Sequence, residues 1–360
     1  PPPPPPNFFF THNPESAILS GLVGSELCIR DRKRAASSPP VPALISTIAF
    51  FLSSRSFGKR NILNFNQTKK LIKTIKSLDP KIYILIDQEG GIVNRFSNLK
   101  EFNFLDNFDY FKIYLRYPSL AKQLVFLKSF ITSYHLSEMG FDINTIPVLD
   151  IPNSKTIQMI KKRTFGSDLD ISIKLNEIFV KTSISLGITP VMKHIPGHGL
   201  TSKDSHLSLP TVSSSLKTLN DQLKLFYHFR HLPYAMTAHI RYDKWDIENM
   251  ATYSKKIIHN IIRQQIKFKG LIMSDDMTMK ANQYDINESI IKCNHAGIDV
   301  FLDCSSDWKR YFEVIKSFQV TSRYKNLLKI NRNKRKADLK SINIIQYHDL
   351  YNELIKLYGI

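Results

Sequence analysis

From about residue 44 onward, the chain alternates short apolar runs with longer amphipathic stretches. The short runs are rich in β-branched residues and have the length of buried strands, whereas the longer stretches carry apolar residues three and four positions apart, as helices do. Strands are predicted at 81–86, 141–149, 189–192, 234–238, 270–274 and 298–302, and helices at 67–78, 120–139, 171–186, 216–229, 255–268 and 288–296. Buried strands separated by crossover helices indicate an α/β fold with a parallel sheet.

A polar residue follows the end of each of these predicted strands. The residues are Asp87, Asp150, Lys193 with His194, His239, Asp275 and Asp303. Six such positions in register indicate a ring of functional groups at the C-terminal face of a barrel. An open doubly wound sheet also binds ligands at strand ends, but the chain has no Gly-rich dinucleotide or P-loop turn. We therefore expect a (β/α)₈ TIM-type barrel that forms a single catalytic domain.

The N-terminal segment differs in composition from the rest of the chain. Six prolines open it, and residues 37–42 are rich in Ser and Pro without a periodic pattern. We expect residues 1–43 to be disordered or non-native, residues 44–340 to form the barrel, and residues 341–360 to be a C-terminal helical extension.

The first barrel strand has a competing interpretation. A short apolar run at 43–52 follows basic residues at 30–34, a combination that a signal peptide also shows. We favour the strand. No stretch approaches the 18 apolar residues of a membrane span, so no membrane insertion is expected.

The composition is that of an ordinary globular protein, apart from its charge. Among the 360 residues, 42% are hydrophobic and 22% charged, and the formal net charge is +19. Such a charge is typical of proteins with an anionic partner, such as nucleic acid. Because Lys and Arg are scattered and interleaved with acids, we favour a Lys-rich composition and expect no nucleic-acid partner.

The three cysteines, Cys28, Cys293 and Cys304, are an odd number and show no C-x-x-C spacing. Neither a disulfide framework nor a thiolate metal site is supported, and a reducing, cytoplasmic compartment is expected.

The segment 193–206 (KHIPGHGLTSKDSH) is dense in titratable groups. Its prolines and glycines exclude a helix, and functional residues concentrate on such loops. Asp204 and His206 are two positions apart, so in an extended segment both could point the same way. A carboxylate that orients an imidazole is the arrangement of a general acid/base. His198 is equally compatible with bracing the loop.

The same histidines suggest a metal site. His194 and His198 are four positions apart, as in helical zinc pairs, but the loop excludes the helix that this spacing needs. A metal-dependent hydrolase that uses His194, His198 and Asp204 remains a lesser alternative, and no metal or cofactor is expected.

Two further segments carry carboxylates. In 270–278 (GLIMSDDMT), Asp275 comes directly after a strand and is the better candidate to face a pocket, whereas Asp276 suits a capping role. In 87–96 (DQEGGIVNRF), Asp87 and Arg95 bracket a Gly-Gly turn and suit sugar hydroxyls. A tight turn with a salt bridge has the same pattern.

Together these segments resemble glycoside hydrolase family 3, specifically its single-domain bacterial β-N-acetylglucosaminidases of peptidoglycan recycling. Residues 261–278 resemble the family's nucleophile signature, which implies that Asp275 is the nucleophile. The K-H-x-P-G-H-G…D-S-H loop resembles that of the N-acetylglucosaminidase branch, which implies an acid/base dyad of His206 and Asp204. The resemblance covers about residues 57–336.

Sugar ligands are also implied by the resemblance. They are Asp87, Arg95, Arg163, Lys193 and His194. Weaker matches lie at 60–67, 147–151 and 236–239. Two departures from the family pattern are Ile92, where the family usually has Arg, and Leu200, where it usually has Asp.

The activity implied is that of a retaining exo-glycosidase. It would release terminal non-reducing β-linked N-acetylglucosamine through a covalent intermediate, from a saccharide or muropeptide such as GlcNAc-β-1,4-anhydroMurNAc, and would act as a monomer. A β-glucosidase-type member of the family would share Asp275 but lack the D-S-H loop, and it remains the main alternative.

Overall fold

The structure is a computed structural model that describes residues 51–52, 62–78, 80, 83–305, 307–319, 321–323 and 339–360. The predicted N-terminal segment 1–43, Cys28 and most of the run at 43–52 lie outside the described residues.

The main sheet is entirely parallel, as the alternating pattern predicted. Its strands are β1 (Phe51–Leu52), β2 (Leu85–Ile86), β3 (Ile143–Asn144), β4 (Thr189–Ile195), β6 (Tyr234–Thr237) and β9 (Leu271–Met273), which neighbour one another in that order. The predicted strand at 298–302 contributes one parallel bridge, between Val300 and Met273. Within the described residues no bridge joins Val300 to β1, so closure of the sheet is not seen there.

Helices connect successive strands. They are α1 (Phe65–Leu78), α2 (Asn107–Arg116), α3 (Pro118–Met139), α4 (Gln158–Lys161), α5 (Leu169–Ser185), α6 (Leu216–His228), a π-helix (Ile257–Gln265), α7 (Ile286–Ala296), α8 (Trp308–Ser317) and α9 (Ile344–Leu357). Asp168, Ser215 and Asp285 accept a backbone N–H at the start of α5, α6 and α7 and so satisfy an orphan donor. Of the described helices, none combines the length and the hydropathy required to span a bilayer.

The strands bury two different faces, because successive side chains alternate. One face, which includes Ile86, Met192 and Ile272, packs under the helices in two large apolar clusters. The other forms a separate inner strand cluster, which consists of Leu85, Ile143, Val191, Tyr234, Met236, Leu271, Met273, Val300, Leu302 and Cys304. The sheet is therefore covered on both sides, as a parallel sheet requires.

Several elements were not predicted from the sequence. A small second sheet has the order β5 (Thr211–Val212), β7 (Arg241–Tyr242) and β8 (Asp246–Met250). These strands are short and partly exposed, so they lack the long apolar runs that marked the main sheet.

The C-terminal helix α9 packs against α3. Tyr347 stacks on Phe130 at 4.1 Å between ring centroids, and the Tyr351 hydroxyl lies 2.7 Å from that of Tyr110. These contacts attach residues 344–357 to the helical layer outside the sheet.

Candidate active site

The candidate site lies at the carboxyl ends of the main-sheet strands, on the side of the inner strand cluster. Asp87, Lys193 and Asp275 come two positions after Leu85, Val191 and Met273, which belong to that cluster. Because side chains alternate along a strand, the three polar residues continue its inward-facing rows. The polar groups at the ends of β2, β4 and β9 therefore lie next to the inner strand cluster.

Seven side chains at this end of the sheet form what we call the charge cluster. Its members are Asp87, Glu89, Arg95, Asp150, Arg163, Lys193 and His194. Three carboxylates face three cations, so the cluster is balanced in charge when His194 is neutral. Buried charges are tolerated only when they are paired and hydrogen-bonded, and this set satisfies that condition.

Asp87 is the centre of one half of the cluster. Its Oδ1 accepts from Lys193 Nζ at 2.5 Å and from the Thr145 hydroxyl at 2.5 Å, and its Oδ2 accepts from Arg95 Nη2. Burial alone would raise the pKa of Asp87, but Lys193, Arg95 and Arg163 hold it well below its usual range. The group is therefore an ionised acceptor, and Oδ2 keeps a lone pair for a ligand hydroxyl.

Glu89 is the centre of the other half. It receives a forked pair of bonds from Arg163, Nε to Oε2 at 3.0 Å and Nη2 to Oε1 at 2.8 Å, and Lys193 Nζ lies 2.5 Å from Oε1. Its side chain is 1% exposed. Although burial raises its pKa, Arg163 and Lys193 lower it overall, so this carboxylate holds both cations in place.

His194 joins Arg163 to Asp150. Its Nδ1 lies 2.7 Å from Asp150 Oδ2, and its Nε2 lies 3.1 Å from Arg163 Nη2. All five proposed sugar ligands, Asp87, Arg95, Arg163, Lys193 and His194, therefore belong to one hydrogen-bonded cluster.

Residues 193–206, which we call the histidine loop, include the last three residues of β4, because the strand extends to Ile195 and not only to the predicted residue 192. The part beyond Ile195 is anchored at several points. The Asp150 carboxylate accepts the His198 backbone N–H at 2.6 Å, and the Tyr242 hydroxyl donates to the Gly197 carbonyl at 2.7 Å. A Cβ at Gly199 would lie 2.0 Å from the Ile151 carbonyl oxygen, so only glycine permits this close approach. Leu200 is half-buried and packs against the apolar cluster that contains Met192 and Ile272.

The side chain of His198 braces this loop internally. Its Nδ1 lies 2.9 Å from the Thr201 hydroxyl and its Nε2 lies 3.1 Å from the Ser205 hydroxyl. Burial, with the neighbouring His194, lowers its pKa to about 4. A neutral ring with both nitrogens occupied is a structural element of the loop.

Asp204 and His206 meet at the tip of the loop, but not in the extended segment that we expected. Asp204 Oδ1 accepts the His206 backbone N–H at 2.8 Å and lies 3.0 Å from its Nδ1. Leu207 and Ser208 donate their backbone N–H groups to the Asp204 carbonyl, so the pair is held by a turn of the kind that Asp favours. His206 Nε2 has no protein partner among the described residues, and half of its side chain is exposed.

Asp275 follows β9, in a segment that is hydrogen-bonded to the histidine loop. One backbone bond, from Ala281 N to Ser205 O at 3.2 Å, ties the segment after Asp275 to the histidine loop. Burial would raise the pKa of Asp275, but His239, His194, the Asp276 amide and His206 together lower it. The carboxylate is therefore ionised and lies within electrostatic range of His206.

The neighbouring carboxylate, Asp276, has a different environment. It accepts from Thr278 N at 2.9 Å and from Cys304 N at 3.2 Å. The capping role that the sequence suggested is wrong, because a turn and not a helix follows Asp276. Burial, with the nearby Asp275, raises its pKa.

Two other strand-end residues have protein partners outside the charge cluster. His239 is fully buried, with Nδ1 2.7 Å from the Thr252 hydroxyl and Nε2 3.2 Å from the Asp276 carbonyl. Asp303 accepts from Arg310 at 2.7 Å, in helix α8. Of the strand-end residues, His239 and Asp303 therefore lie outside the charge cluster.

The metal alternative is not supported by the side chains that it would use. The rings of His194 and His198 lie 5.5 Å apart in a T-shaped arrangement, and all four of their nitrogens have protein partners. Among the described residues no group of three or more His, Cys, Asp or Glu could hold a metal ion.

Sequence reasoning did not assign two members of the charge cluster, Glu89 and Asp150. The sequence carried a signal for each of them. Glu89 is two positions after Asp87, so in extended backbone their side chains point the same way. Asp150 directly follows a predicted strand. Ile92, the other departure from the family pattern, is 43% exposed, and its amide donates to Asp106 at 2.7 Å.

The chain is similar in sequence to a known family and to known proteins over most of its length. Residues 51–329 match the model of the glycosyl hydrolase family 3 N terminal domain. A β-hexosaminidase of Shewanella frigidimarina is 31% identical over 253 residues, which cover 68% of this chain and 73% of that protein. The β-hexosaminidase of Photobacterium profundum is 31% identical over 255 residues, with 69% and 74% covered.

A solved structure agrees with the sequence relatives. NagZ from Neisseria gonorrhoeae, in complex with N-trifluoroacetyl-D-glucosamine, superposes with a TM-score of 0.74 at 27% identity. The match covers 82% of this chain and 89% of that chain.

Proposed function

The chain belongs to glycosyl hydrolase family 3, and from this premise we propose that it releases terminal β-linked N-acetylglucosamine with retention of configuration, using Asp275 as nucleophile and His206 with Asp204 as acid/base dyad. The family suggested by the motifs is confirmed, and the protein is a glycoside hydrolase. Its curated relatives are named as β-hexosaminidases, which supports N-acetylglucosamine as the sugar released.

One observation carries the proposed roles. Asp275, at the end of β9, belongs to a segment that is hydrogen-bonded to the loop bearing His206, through Ala281 N and Ser205 O. A nucleophile and an acid/base must act on the same glycosidic bond, so the two groups must face one pocket.

The dyad geometry suits proton transfer. His206 Nδ1 donates to Asp204, which fixes the ring and leaves Nε2 to exchange a proton with the substrate. In the first step an Asp275 oxygen bonds to the anomeric carbon, the bond to the leaving oxygen breaks, and protonated His206 gives that oxygen its proton. In the second step water attacks the anomeric carbon, His206 takes the proton, and Asp275 leaves as a carboxylate.

The charge cluster is proposed to bind the sugar hydroxyls. Hydrogen bonds of Arg163 to described residues run through Nε and Nη2, which keeps Nη1 for the ligand. Asp87 keeps a lone pair on Oδ2 beside Arg95. The three donors of Lys193 have acceptors in Asp87, Glu89 and Thr145, so Lys193 reaches a sugar by sharing one of them.

We further propose that the parallel sheet belongs to a closed (β/α)₈ barrel within residues 44–340, followed by the helical extension 341–360. The support is the sequential parallel order of the strands and an inner cluster made of strand side chains, which is what a filled barrel interior contains. A monomer in the reducing cytoplasm that acts on muropeptides such as GlcNAc-β-1,4-anhydroMurNAc completes the proposal.

The test is the hydrolysis of an aryl N-acetyl-β-glucosaminide with the first-formed anomer observed by ¹H NMR. The account predicts release of the β anomer, with a far lower rate on the matching aryl β-glucoside. Preference for the glucoside would indicate the β-glucosidase-type alternative, and first release of the α anomer would contradict a retaining mechanism.

A further inference from the structure

Asp150 is buried at the end of the segment that follows β3, and it contacts two parts of the histidine loop. Its side chain is fully buried. Oδ1 accepts the backbone N–H groups of His194 at 3.2 Å and His198 at 2.6 Å, while Oδ2 faces His194 Nδ1. Burial would raise the pKa of Asp150, but His194 and His198 lower it to about 2, so both oxygens are acceptors.

The tautomer of His194 follows from its two neighbours. Arg163 Nη2 can only donate, so His194 Nε2, 3.1 Å away, must accept. The ring proton then lies on Nδ1, which donates a hydrogen bond to Asp150 Oδ2. If the proton were on Nε2, two donors, Nε2–H and Arg163 Nη2–H, would face each other. Two acceptors, His194 Nδ1 and Asp150 Oδ2, would also face each other.

The orientation of Arg163 depends on this tautomer. Glu89 holds the Nε and Nη2 edge of the guanidinium, and His194 accepts from Nη2 out of the same fork. A guanidinium fixed by acceptors on one side presents its remaining Nη1 donors in a defined direction.

We propose that Asp150 is a positioning residue for the sugar site: by accepting from His194 Nδ1 it keeps His194 Nε2 an acceptor, and so holds Arg163 with Nη1 free for the substrate. This inference rests on the proposed glycosidase function for its kinetic consequence. Its tautomer statement is independent of activity.

The Asp150→Asn variant tests the proposal because it keeps the shape and removes one acceptor. If the amide oxygen keeps the two backbone N–H groups, its NH₂ faces His194 Nδ1 and drives the ring proton to Nε2, against Arg163. If the amide is flipped, its NH₂ group faces the backbone N–H groups of His194 and His198, which is unfavourable because all of them are donors. We expect the His194 tautomer to change and kcat/KM on the aryl N-acetyl-β-glucosaminide to fall about 10–100-fold, mainly through KM.

A matched control is Asp299→Asn. Asp299 is equally buried, pairs with Arg263 at 2.8 Å and accepts the Ile272 backbone N–H, but it lies at the opposite, amino end of the strands. This variant should lose stability without a change in the His194 tautomer or in kcat/KM, measured well below both melting temperatures.

The readout is ¹⁵N NMR of the imidazole nitrogens, with the His194 signals identified among the 11 histidines by their loss in His194→Gln. In the wild-type protein Nδ1 should carry the proton, and a wild-type proton on Nε2 would overturn the proposal even if Asp150→Asn fails to fold. An unchanged tautomer in Asp150→Asn, or a changed tautomer with unchanged kcat/KM, would also overturn it. A wild-type enzyme without glycosidase activity would instead overturn the proposed function.

Discussion

The charge cluster and the tip of the histidine loop are built in opposite ways, although β4 leads directly from one to the other. Lys193 and His194 are at most 5% exposed in their side chains and have three and two protein partners, respectively. His206 is half exposed, and Asp204 is its one side-chain partner among the described residues.

The difference suits the two tasks that we propose for these regions. Groups that recognise a sugar act best when they are preorganised and desolvated, since their orientation then costs nothing during binding. A group that alternately gives and takes a proton must exchange with substrate and water, so a half-exposed ring with one nitrogen free is suited to that task.

The largest expected effect concerns Asp275, the proposed nucleophile. Asp275→Ala should reduce turnover about 10⁴-fold or more, because no other group can form the covalent intermediate. The control is Asp276→Asn: its carboxyl already has a raised pKa and accepts from Thr278 within a turn, so a neutral amide should cost less than about tenfold. Steady-state kcat on the aryl substrate measures both, and a reversed order would exchange the two roles.

The next largest effect concerns His206, and its size should depend on the leaving group of the substrate. His206→Ala should lose about 10²–10⁴-fold on substrates with a poor leaving group, because protonation of the leaving oxygen is removed. An activated aryl glycoside needs little protonation and should lose less in its first step. Pre-steady-state rates on both substrate types provide the measurement, and equal losses would argue against an acid/base role.

A third prediction compares the buried and exposed histidines of the same loop through the pH dependence of stability. The pKa of His198 is lowered to about 4 from an ordinary 6.5. Between these values the unfolded chain binds a proton that the folded chain refuses, so stability is present above pH 6.5 and is lost as pH falls towards 4, by up to about 3 kcal/mol. Denaturant unfolding at several pH values should show a smaller slope in His198→Gln.

The control for this pH dependence is His206→Ala. It removes a half-exposed ring of the same loop that contacts Asp204, so it reports the change in slope that follows the loss of a histidine other than His198. A slope that follows His206 and not His198 would refute the contrast between buried and exposed rings.

The smallest effect lies away from both regions, at the C-terminal helix. Tyr351→Phe removes the hydroxyl that contacts Tyr110 and should cost about 1 kcal/mol of stability. Kinetics on the aryl substrate should stay unchanged. Tyr358→Phe, at a 38% exposed ring, is the control with almost no effect on Tm, and a kinetic change in Tyr351→Phe would connect the helix to the site.

Periodicity predicted the elements of the main sheet well, because buried strands and amphipathic helices follow distinct periods. The helices α2, α4 and α8 and the strands β5, β7 and β8 were missed, since short or partly exposed segments carry no such signal. The first strand could be described only at Phe51–Leu52, where it pairs with β2.

The site was predictable as a set of strand-end residues but not as a network. Spacing could not show that Arg163 binds Glu89, or that Asp150 binds His194, because these pairs are separated by 74 and 44 positions and meet only in the folded sheet. Likewise, spacing indicated that Asp204 and His206 could meet, but it did not show that a turn, and not an extended segment, brings them together.

The most direct test of the central claim, that Asp275 and His206 serve one pocket, is a search for the glycosyl-enzyme. His206→Ala supplied with an activated aryl N-acetyl-β-glucosaminide should complete the first step and stall at the second, because water then lacks its base. Intact-protein mass spectrometry should show the addition of one N-acetylglucosaminyl group, and peptide mapping should locate it on Asp275. An adduct on another residue, or turnover by this variant without any adduct, would contradict the account.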